Sequence, residues 1–262
     1  MDPALNTAAT GMMAQQTRTD VIANNLANVN TTGFKRSRAH FEDLLYQMVQ
    51  GPSSVNGSDA TSTAAIQVGR GTRLAGVERN HSQGALEQTS RPLDIAINGE
   101  GFFQVQLPNG TTSYTRDGSF QISDQGALVT AEGYTVVPGV KIPQGISNLT
   151  IAANGIVTAN LGTEPKPTEL GRIEIARFAN PAGLQSIGNN LYSQTPASGD
   201  PTTGYPADEG AGSLSQGYLE SSNVEVVQEM VDMIAAQRAY ELNSKAISNS
   251  EQMAATANNL IR

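Results

Sequence analysis

The chain of 262 residues has no cysteine and no tryptophan, and only 15% of its residues are charged. Without cysteine it cannot form a disulfide, a thiolate metal site or a thiol nucleophile. Aromatic residues make up only 5% of the chain, which leaves few side chains for the concave aromatic patch of a secreted binding module.

Basic residues number 16 against 24 acidic ones. The densest basic run, Lys35-Arg36 with Arg38, is short and typical of a solvated helix end. Because nucleic acids require a basic surface, no nucleic-acid partner is predicted.

Long apolar runs are missing as well. No stretch approaches the roughly 18 apolar residues that a transmembrane helix needs. The N-terminal sequence MDPALNTAATGMMAQQ has neither the basic region nor the apolar core of a cleavable signal peptide. If the chain leaves the cytoplasm, we expect it to use an export route that reads no cleavable signal.

Motifs that carry catalysis are also missing. The two histidines, His40 and His81, lie in unrelated segments, and neither belongs to an HExxH pattern. There is no GxSxG turn for a serine nucleophile, and the glycine-rich segment 69–76 lacks the GK[ST] of a phosphate-binding loop. A hydrolase with scattered carboxylates is an alternative, but it requires an acidic cleft that no motif supports. We therefore predict that the chain is not an enzyme and has no catalytic residue, no cofactor and no metal site.

The N-terminal segment has apolar residues at heptad spacing, the pattern of an amphipathic helix with a coiled-coil-like seam. Two neighbouring columns contain Leu5, Met12, Thr19 and Leu26, and Ala8, Gln15, Ile22 and Val29. Gln15 and Thr19 interrupt the seam, through wear of a weak repeat or through control of the helix register. Gly33 is the expected stop of this helix.

The C-terminal segment predicts one long helix. Ser222 and Glu225 have the spacing of a capping box, and neither proline nor glycine interrupts the chain from Asn223 to Arg262. Its first apolar stripe contains Val224, Val227, Val231, Ile234, Leu242, Ala246, Met253, Ala257 and Leu260, and its second contains Val226, Met230, Met233, Tyr240 and Ile247. The N-terminal helix would cover one stripe. The other needs partners that one copy of the chain does not contain, unless the middle region covers it.

The middle of the chain is typical of β structure. Turn pairs recur at Asn98-Gly99, Asn109-Gly110, Asp117-Gly118, Gln125-Gly126, Glu132-Gly133 and Asn154-Gly155. The short runs between them, such as LDIAI, FFQVQL, FQIS, LVT and YTVV, predict strands, and ELGRIEIARF predicts one more. The stretch from Gly51 to Thr63 is rich in serine, glycine and asparagine, which indicates a loop or an extended arm.

Together these patterns predict an α+β fold. Long N- and C-terminal α-helices pair as a coiled-coil-like hairpin, and a β-rich central domain is inserted between them. The predicted parts are an N-terminal assembly helix (1–30), an extended connector or arm (31–90, with a distinct segment at about 46–65), a β-rich outer domain (91–216) and a C-terminal assembly helix (217–262).

The apolar face that remains uncovered would recruit a neighbouring copy, and such contacts, repeated without closure, give a helical assembly. The predicted assembly interface consists of Leu5, Met12, Ile22, Leu26, Val29, Val227, Met230, Val231, Ile234, Tyr240, Leu242, Ile247, Met253 and Leu260.

Three segments carry a resemblance to a known family. ANNLANVNTTGFKRSRAHFEDLL (23–45) resembles the N-terminal signature of flagellar rod and hook axial proteins. RPLDIAINGEGFFQVQ (91–106), followed by SYTRDGSFQISDQGALVTAEGY (113–134), resembles their central motif. ESSNVEVVQEMVDMIAAQRAYELNSKAI (220–247) resembles their C-terminal signature. The segments follow the family's order along the whole chain, which makes the combination specific.

The resemblance implies a structural subunit of the flagellar basal-body rod, most like its distal part. The alternatives are a proximal-rod or hook-type axial paralogue and, outside the family, a secreted β-rich binding or adhesion module. Rod subunits are expected to polymerise into a rigid hollow helical tube that transmits torque from motor to hook and encloses the export channel. In rod-type members, the segment at about 46–65 carries additional residues.

The resemblance also implies partners and a location. The expected partners are further copies of the chain, proximal-rod proteins, hook or hook-junction subunits, the surrounding periplasmic and outer-membrane bushing rings, and the flagellar type III export apparatus. The expected location is the rod where it crosses the periplasm, reached without a cleavable signal peptide.

Overall fold

The computed structural model describes residues 3–50, 66–143, 146–161, 167–208 and 210–260. One helix lies at each end of this part of the chain, α1 (Pro3–Ala27) and α2 (Val226–Leu260), and a β-rich region lies between them. Neither helix is long and apolar enough, over its described residues, to span a membrane. The chain divides into two compact units. The first contains Met1–Leu26, Ser37–Glu78 and Val226–Arg262, and the second contains Ala27–Arg36 and Arg79–Glu225.

The first unit combines the two helices with two small sheets. Strand β1 (Ser37–Asp43) pairs with β4 (Thr72–Arg79), and β2 (Tyr46–Gln50) pairs antiparallel with β3 (Ile66–Gly69). Two-stranded sheets are marginal in water unless another layer covers one face. Here Tyr46, Met48 and Val68 are exposed. These small sheets therefore carry apolar side chains that they do not bury within the described part of one copy.

The second unit contains the larger part of the β structure and most of the apolar core. Its described strands are β5 (Leu86–Gln88), β6 (Ile95–Asn98), β7 (Phe102–Gln106), β8 (Thr112–Thr115), β9 (Gln121–Ile122), β10 (Leu128–Val129), β11 (Thr135–Val136), β12 (Ile146–Ile151), β13 (Ile156–Leu161), β14 (Thr168–Arg172), β15 (Ile175–Arg177), β16 (Gln185–Gly188), β17 (Leu191–Ser193), β18 (Thr202–Gly204), β19 (Ser213–Gln216) and β20 (Tyr218–Glu220). A short 3₁₀ helix spans Pro181–Gly183.

The central sheet of the second unit is antiparallel. Its described strands lie in the order β16-β17-β8-β7-β11-β10-β9, and β15 pairs with both β7 and β18. A separate sheet has the order β12-β13-β14, and the pairs β6-β19 and β5-β20 complete the unit. The last pair places the segment before α2 beside residues 86–88.

The core of the second unit forms where short apolar strands converge. The rings of Phe103 and Phe120 pack edge to face, with centroids 5.0 Å apart, and both side chains are fully buried. Gly118 lies directly against β6, because a Cβ atom at this position would stand 1.6 Å from the carbonyl oxygen of Ile95. The Asp-Gly turn read from the sequence is thus also a packing position that only glycine can occupy.

The coiled-coil-like hairpin predicted for the two chain ends is wrong. Contacts between α1 and α2 include a hydrogen bond from Asn25 to Glu229 and an ion pair of 3.0 Å between Arg18 and Asp232. A coiled coil requires large apolar knobs from each helix in this position. Apolar residues of the first predicted stripe of α2, Val227 and Ile234 among them, are exposed instead. The α+β class stands, with one described helix at each end.

Two further boundaries differ from the prediction. The run ELGRIEIARF is not one strand, because β14 belongs to the three-stranded sheet and β15 pairs with β7. Helix α2 begins at Val226 rather than after Ser222. Before the helix, the side chain of Asn223 bonds distant segments of the chain, since it accepts a hydrogen bond from the Arg36 amide and donates to the Asn80 carbonyl. The predicted loop or arm from Gly51 to Thr63 lies outside the described residues.

Candidate assembly surface

The side of α2 that meets α1 is polar and small. Glu229 and Ala236 are buried, and they lie seven residues apart, which is two turns on the same face of a helix. Asn243 lies two turns beyond Ala236 on this face. It approaches Gly11 so closely that a Cβ atom on Gly11 would stand 2.9 Å from Nδ2 of Asn243. Asn25 is also buried and bonds both Glu229 and the backbone of Ser37. These residues fix which side of α2 is covered within one copy.

The opposite side of α2 is apolar and exposed. We call Val227, Met230, Val231 and Ile234 the outer stripe. The exposed fraction of Val227 reaches 76%. At 3.6 residues per turn, Ile234 lies about 200° around the axis from Ala236, so the outer stripe points away from the covered side. Four large apolar side chains in water on adjacent turns are typical of a surface that binds a protein partner.

The predicted interface residues further along α2 have mixed environments. Tyr240, Leu242 and Met253 are exposed, whereas Ile247 is half-buried. Leu260 ends the helix, and its side chain lies outside the described residues. The outer stripe is therefore the most continuous exposed apolar surface that the described part of α2 offers.

The predicted interface residues of the N-terminal segment are mostly covered. Ile22 is buried, and Leu5, Met12, Leu26 and Val29 are half-buried; Val29 belongs to the second unit. The large apolar side chain that the described part of α1 does expose is Met13, with 71% of its surface accessible. Heptad spacing does not select Met13, because this residue lies outside both apolar columns, about 100° around the helix from Met12.

Met13 forms one wall of an open groove in the first unit, which we call the α1 groove. Its volume is about 460 Å³, and it is lined by Asn6, Ala9, Thr10, Met13, Leu44, Leu45 and Arg70. The loop wall is held in place because the amide of Leu44 donates to the Gly71 carbonyl and the amide of Thr72 donates to Thr10 Oγ1. Leu45, 87% exposed, stands at the opening. The adjacent pair Leu44-Leu45 in a polar stretch is the sequence signal that could have located this wall.

The second unit contains a buried ion cluster. Glu220 accepts hydrogen bonds from Lys35 at one carboxylate oxygen and from Arg116, at 3.3 Å, at the other. The side chains of Lys35 and Glu220 are fully buried, and the amide of Gly84 also donates to Glu220. The interpretation of Lys35 as part of a solvated helix end is therefore wrong. Its carboxylate partner lies 185 residues away in the chain, beyond the reach of any local pattern.

His81 lies beside this cluster and packs among aromatic rings. Its ring packs edge to face on Phe102 and Tyr192, with centroids 5.6 and 5.4 Å away. Neither ring nitrogen has a hydrogen-bond partner among the described residues. Burial, followed by the positive charges of Lys35, Arg116 and Arg79, lowers the pKa of His81 to about 4. The ring is therefore neutral at physiological pH and contributes to packing. The described residues contain no group of three or more potential ligands placed to bind a metal.

Comparison with known proteins identifies the family. Residues 5–35 match the model described as flagella basal body rod protein, residues 96–159 the flagellar hook protein FlgE/F/G D1 domain, and residues 215–260 the flagellar basal body rod FlgEFG protein C-terminal region. The flagellar basal-body rod protein FlgG of Borreliella burgdorferi is 50% identical over 261 residues, which cover 99% of this chain and 98% of that protein. The chain belongs to the flagellar basal-body rod protein family.

Other relatives carry the same name across distant bacteria. FlgG of Buchnera aphidicola subsp. Baizongia pistaciae is 50% identical over 253 residues, with 97% of both chains covered. FlgG of Bacillus subtilis is 39% identical over 264 residues, with 99% of both chains covered. The resemblance read from the three sequence segments is thereby confirmed. The outer stripe and the α1 groove are consequently surfaces of a rod-family protein.

Proposed function

We propose that this chain is a structural subunit of the distal part of the bacterial flagellar rod and polymerises into a rigid hollow helical tube. The observation that carries the proposal is the outer stripe on α2, which one copy leaves exposed. Apolar side chains gain free energy when a second copy removes them from water. A contact between different surfaces of identical copies, repeated without closure, builds a helical polymer. Full-length similarity to relatives named basal-body rod protein FlgG supports the same function.

The proposed work of the tube is mechanical. It transmits torque from the motor to the hook and encloses the export channel, and we propose no enzymatic activity. The proposed assembly parts are residues 1–30 and 217–262, which contain the terminal helices, while residues 31–90 form the connector and residues 91–216 the outer domain. In this proposal the assembly contacts include the outer stripe, together with the other predicted residues of both helices.

The proposed partners follow from a position in the middle of the axial structure. Proximal-rod proteins lie on the motor side, and hook or hook-junction subunits lie on the distal side. The surrounding periplasmic and outer-membrane rings act as a bushing. The chain reaches this place through the flagellar type III export apparatus, and its rod crosses the periplasm. Each of these statements rests on the family.

The experiment replaces the chain in motile cells by the variant Ile234→Asp and counts rods in purified basal bodies. A carboxylate placed in a buried apolar contact loses its hydration, which costs several kcal/mol at every subunit contact. We expect basal bodies without a distal rod and without a hook. Ala235→Asp is the matched control, because it adds the same charge at the next residue, which is exposed on another side of the helix. Normal rods from the Ile234→Asp chain would contradict the proposed interface.

Labelling distinguishes the alternatives. A label on the chain should lie in the hook-side half of the rod, whereas a label in the motor-side half would indicate a proximal-rod paralogue. A label found in the hook would indicate a hook-type subunit. Chain found only outside the flagellum would favour a secreted binding module.

A further inference from the structure

We propose that the α1 groove of one copy receives the outer stripe of a second copy, with Glu241 of the second copy facing Arg70. This inference rests on the proposed function, because it names the contact by which successive rod subunits join. It concerns two surfaces of the first unit: a concave one lined by α1 and the turn at residues 44–45, and a convex one on α2.

The two surfaces match in length and in chemistry. The α1 wall of the groove runs from Asn6 to Met13, which is two helical turns or about 10 Å. The outer stripe runs from Val227 to Ile234, also about 10 Å. The groove offers the exposed side chains of Met13 and Leu45 to its occupant. An open apolar groove of this length suits the ridge of an α-helix, the arrangement by which helices dock into grooves of other proteins.

An ion pair between Arg70 of the groove and Glu241 of α2 would fix the direction in which the helix lies in the groove. Arg70 is the charged residue of the groove lining, is exposed, and has no ion pair with a described residue. Glu241 lies seven residues beyond Ile234, on the same side of α2, and likewise has no ion pair with a described residue. Among the described residues it is the carboxylate on this side of the helix, between Arg238 and Lys245. A stripe seated in the groove can therefore be accompanied by one ion pair, between Glu241 of the second copy and Arg70 of the groove lining.

The contact is heterologous, because the groove and the stripe are different parts of the surface. Each copy then uses its stripe on one neighbour and offers its groove to another. A new copy always finds a free partner surface at the growing end, so the contact propagates and does not close into a dimer. A stripe that packed on the same stripe of a neighbour would instead form a two-fold dimer and stop.

Cross-linking tests the geometry directly, because the natural chain has no cysteine. The chain with Met13→Cys and Ile234→Cys is expressed in place of the natural one, and isolated basal bodies are treated with a short bis-maleimide. We expect a ladder of dimers, trimers and longer multimers, since each link joins the groove of one copy to the stripe of the next. Each single-cysteine chain, and the control pair Met13→Cys with Ala235→Cys, should remain largely monomeric. If the chain with Met13→Cys and Ile234→Cys forms rods but gives no cross-linked multimers, the inference is wrong and the proposed function remains intact.

Charge reversal is the second test, and it needs no cysteine. Arg70→Glu and Glu241→Arg should each lower the number of complete rods per cell severalfold, and the two changes together should restore it to near the natural level. Rod numbers that the single reversals leave unchanged, or that the double reversal fails to restore, would overturn the pairing of stripe and groove. Absence of the natural, labelled chain from every rod would instead contradict the proposed function.

Discussion

The side-chain amide of Asn25 donates a hydrogen bond of 3.1 Å to the Oε2 carboxylate oxygen of Glu229, and both side chains are buried. The pair joins the end of α1 to the beginning of α2, although the two residues are 204 positions apart in the chain. A buried carboxylate is stable only while donors surround it. We infer that this pair orients the start of α2 and thereby decides which side of that helix carries the exposed outer stripe.

Asn25→Asp tests this pair. It replaces the donor by a second carboxylate, and like charges at such a distance cost several kcal/mol. We expect few complete rods in purified basal bodies. Adding Glu229→Gln should restore part of the loss, because the new amide can donate a hydrogen bond to the carboxylate introduced at position 25. Asn30→Asp, at an exposed position, should behave as the natural chain. Equal rod numbers from the Asn25→Asp and Asn30→Asp chains would show that the pair has no such role.

The buried ion cluster predicts a large loss of stability from a small change. Glu220→Gln removes the negative charge from between Lys35 and Arg116 while keeping the side chain's size. Removing one partner of a buried ion pair typically costs about 3–5 kcal/mol, because the remaining charge is left without compensation. We expect a decrease of this size in the free energy of unfolding, measured by urea denaturation. Glu132→Gln, at an exposed turn position, is the control, and a similar small change in both variants would contradict the role of the cluster.

His81 predicts a pH dependence of stability. Its pKa falls from 6.5 to about 4 in the folded chain, first through burial and then through Lys35, Arg116 and Arg79. The unfolded chain therefore binds a proton on His81 below pH 6.5, whereas the folded chain does so only near pH 4. Stability is lost as the pH falls through this window, by roughly 3 kcal/mol at most, at about 1.4 kcal/mol per pH unit.

His81→Phe isolates this contribution, because a second aromatic ring can keep the edge-to-face contacts with Phe102 and Tyr192. The free energy of unfolding of the variant, relative to the natural chain, should rise steadily as the pH falls from about 6.5 to about 4. Urea denaturation at several pH values measures this difference. The carboxylates that titrate in the same range are common to both chains and cancel. A difference that stays constant with pH would mean that His81 is protonated equally in the two states.

The sequence was informative where structure depends on local patterns. Strand β7 and the turn at Gly118 follow from alternation and from an Asp-Gly pair, and both are local signals. The apolar stripes of α2 follow from helical periodicity in the same way. Periodicity cannot say which side of a helix its partner covers, and it favours the apolar side by default. The covered side proved to contain Glu229 and Ala236, a carboxylate and a small residue.

Two features that the sequence analysis did not predict, the burial of Lys35 and the α1 groove, depend on residues that are far apart in the chain. Lys35 looked like a surface residue because nothing near it in the chain could neutralise its charge, and its partner Glu220 belongs to another predicted segment. The α1 groove could not be predicted from the sequence for a similar reason. Met13, Leu44 and Arg70 are separated in the chain and each is unremarkable in its own segment, so only the folded chain brings them together.

The arm between β2 and β3 gives the last prediction, on stiffness. Strands β2 and β3 pair with Tyr46 opposite Gly69 and Met48 opposite Gln67. Residues two positions apart in a strand lie on the same face of a sheet, so the exposed side chains of Tyr46 and Met48 share one face. A two-stranded sheet with an uncovered apolar face gains stability from a further layer. In a polymer, a neighbouring subunit can provide that layer.

Deleting Gly51 to Thr63 removes the predicted loop or arm, all of which lies outside the described residues, and leaves β2 and β3. A tube bends only if subunits slide past one another, because one side must shorten while the other lengthens. An arm that packs on axial neighbours resists this sliding at every subunit. We therefore expect the deleted chain to assemble into tubes that are curved or easily bent, whereas Tyr46→Ser with Met48→Ser should give an intermediate stiffness, since it removes only the apolar contact. Electron microscopy of purified tubes measures the persistence length. Straight tubes of natural persistence length from the deleted chain would show that rigidity arises from contacts elsewhere in the subunit.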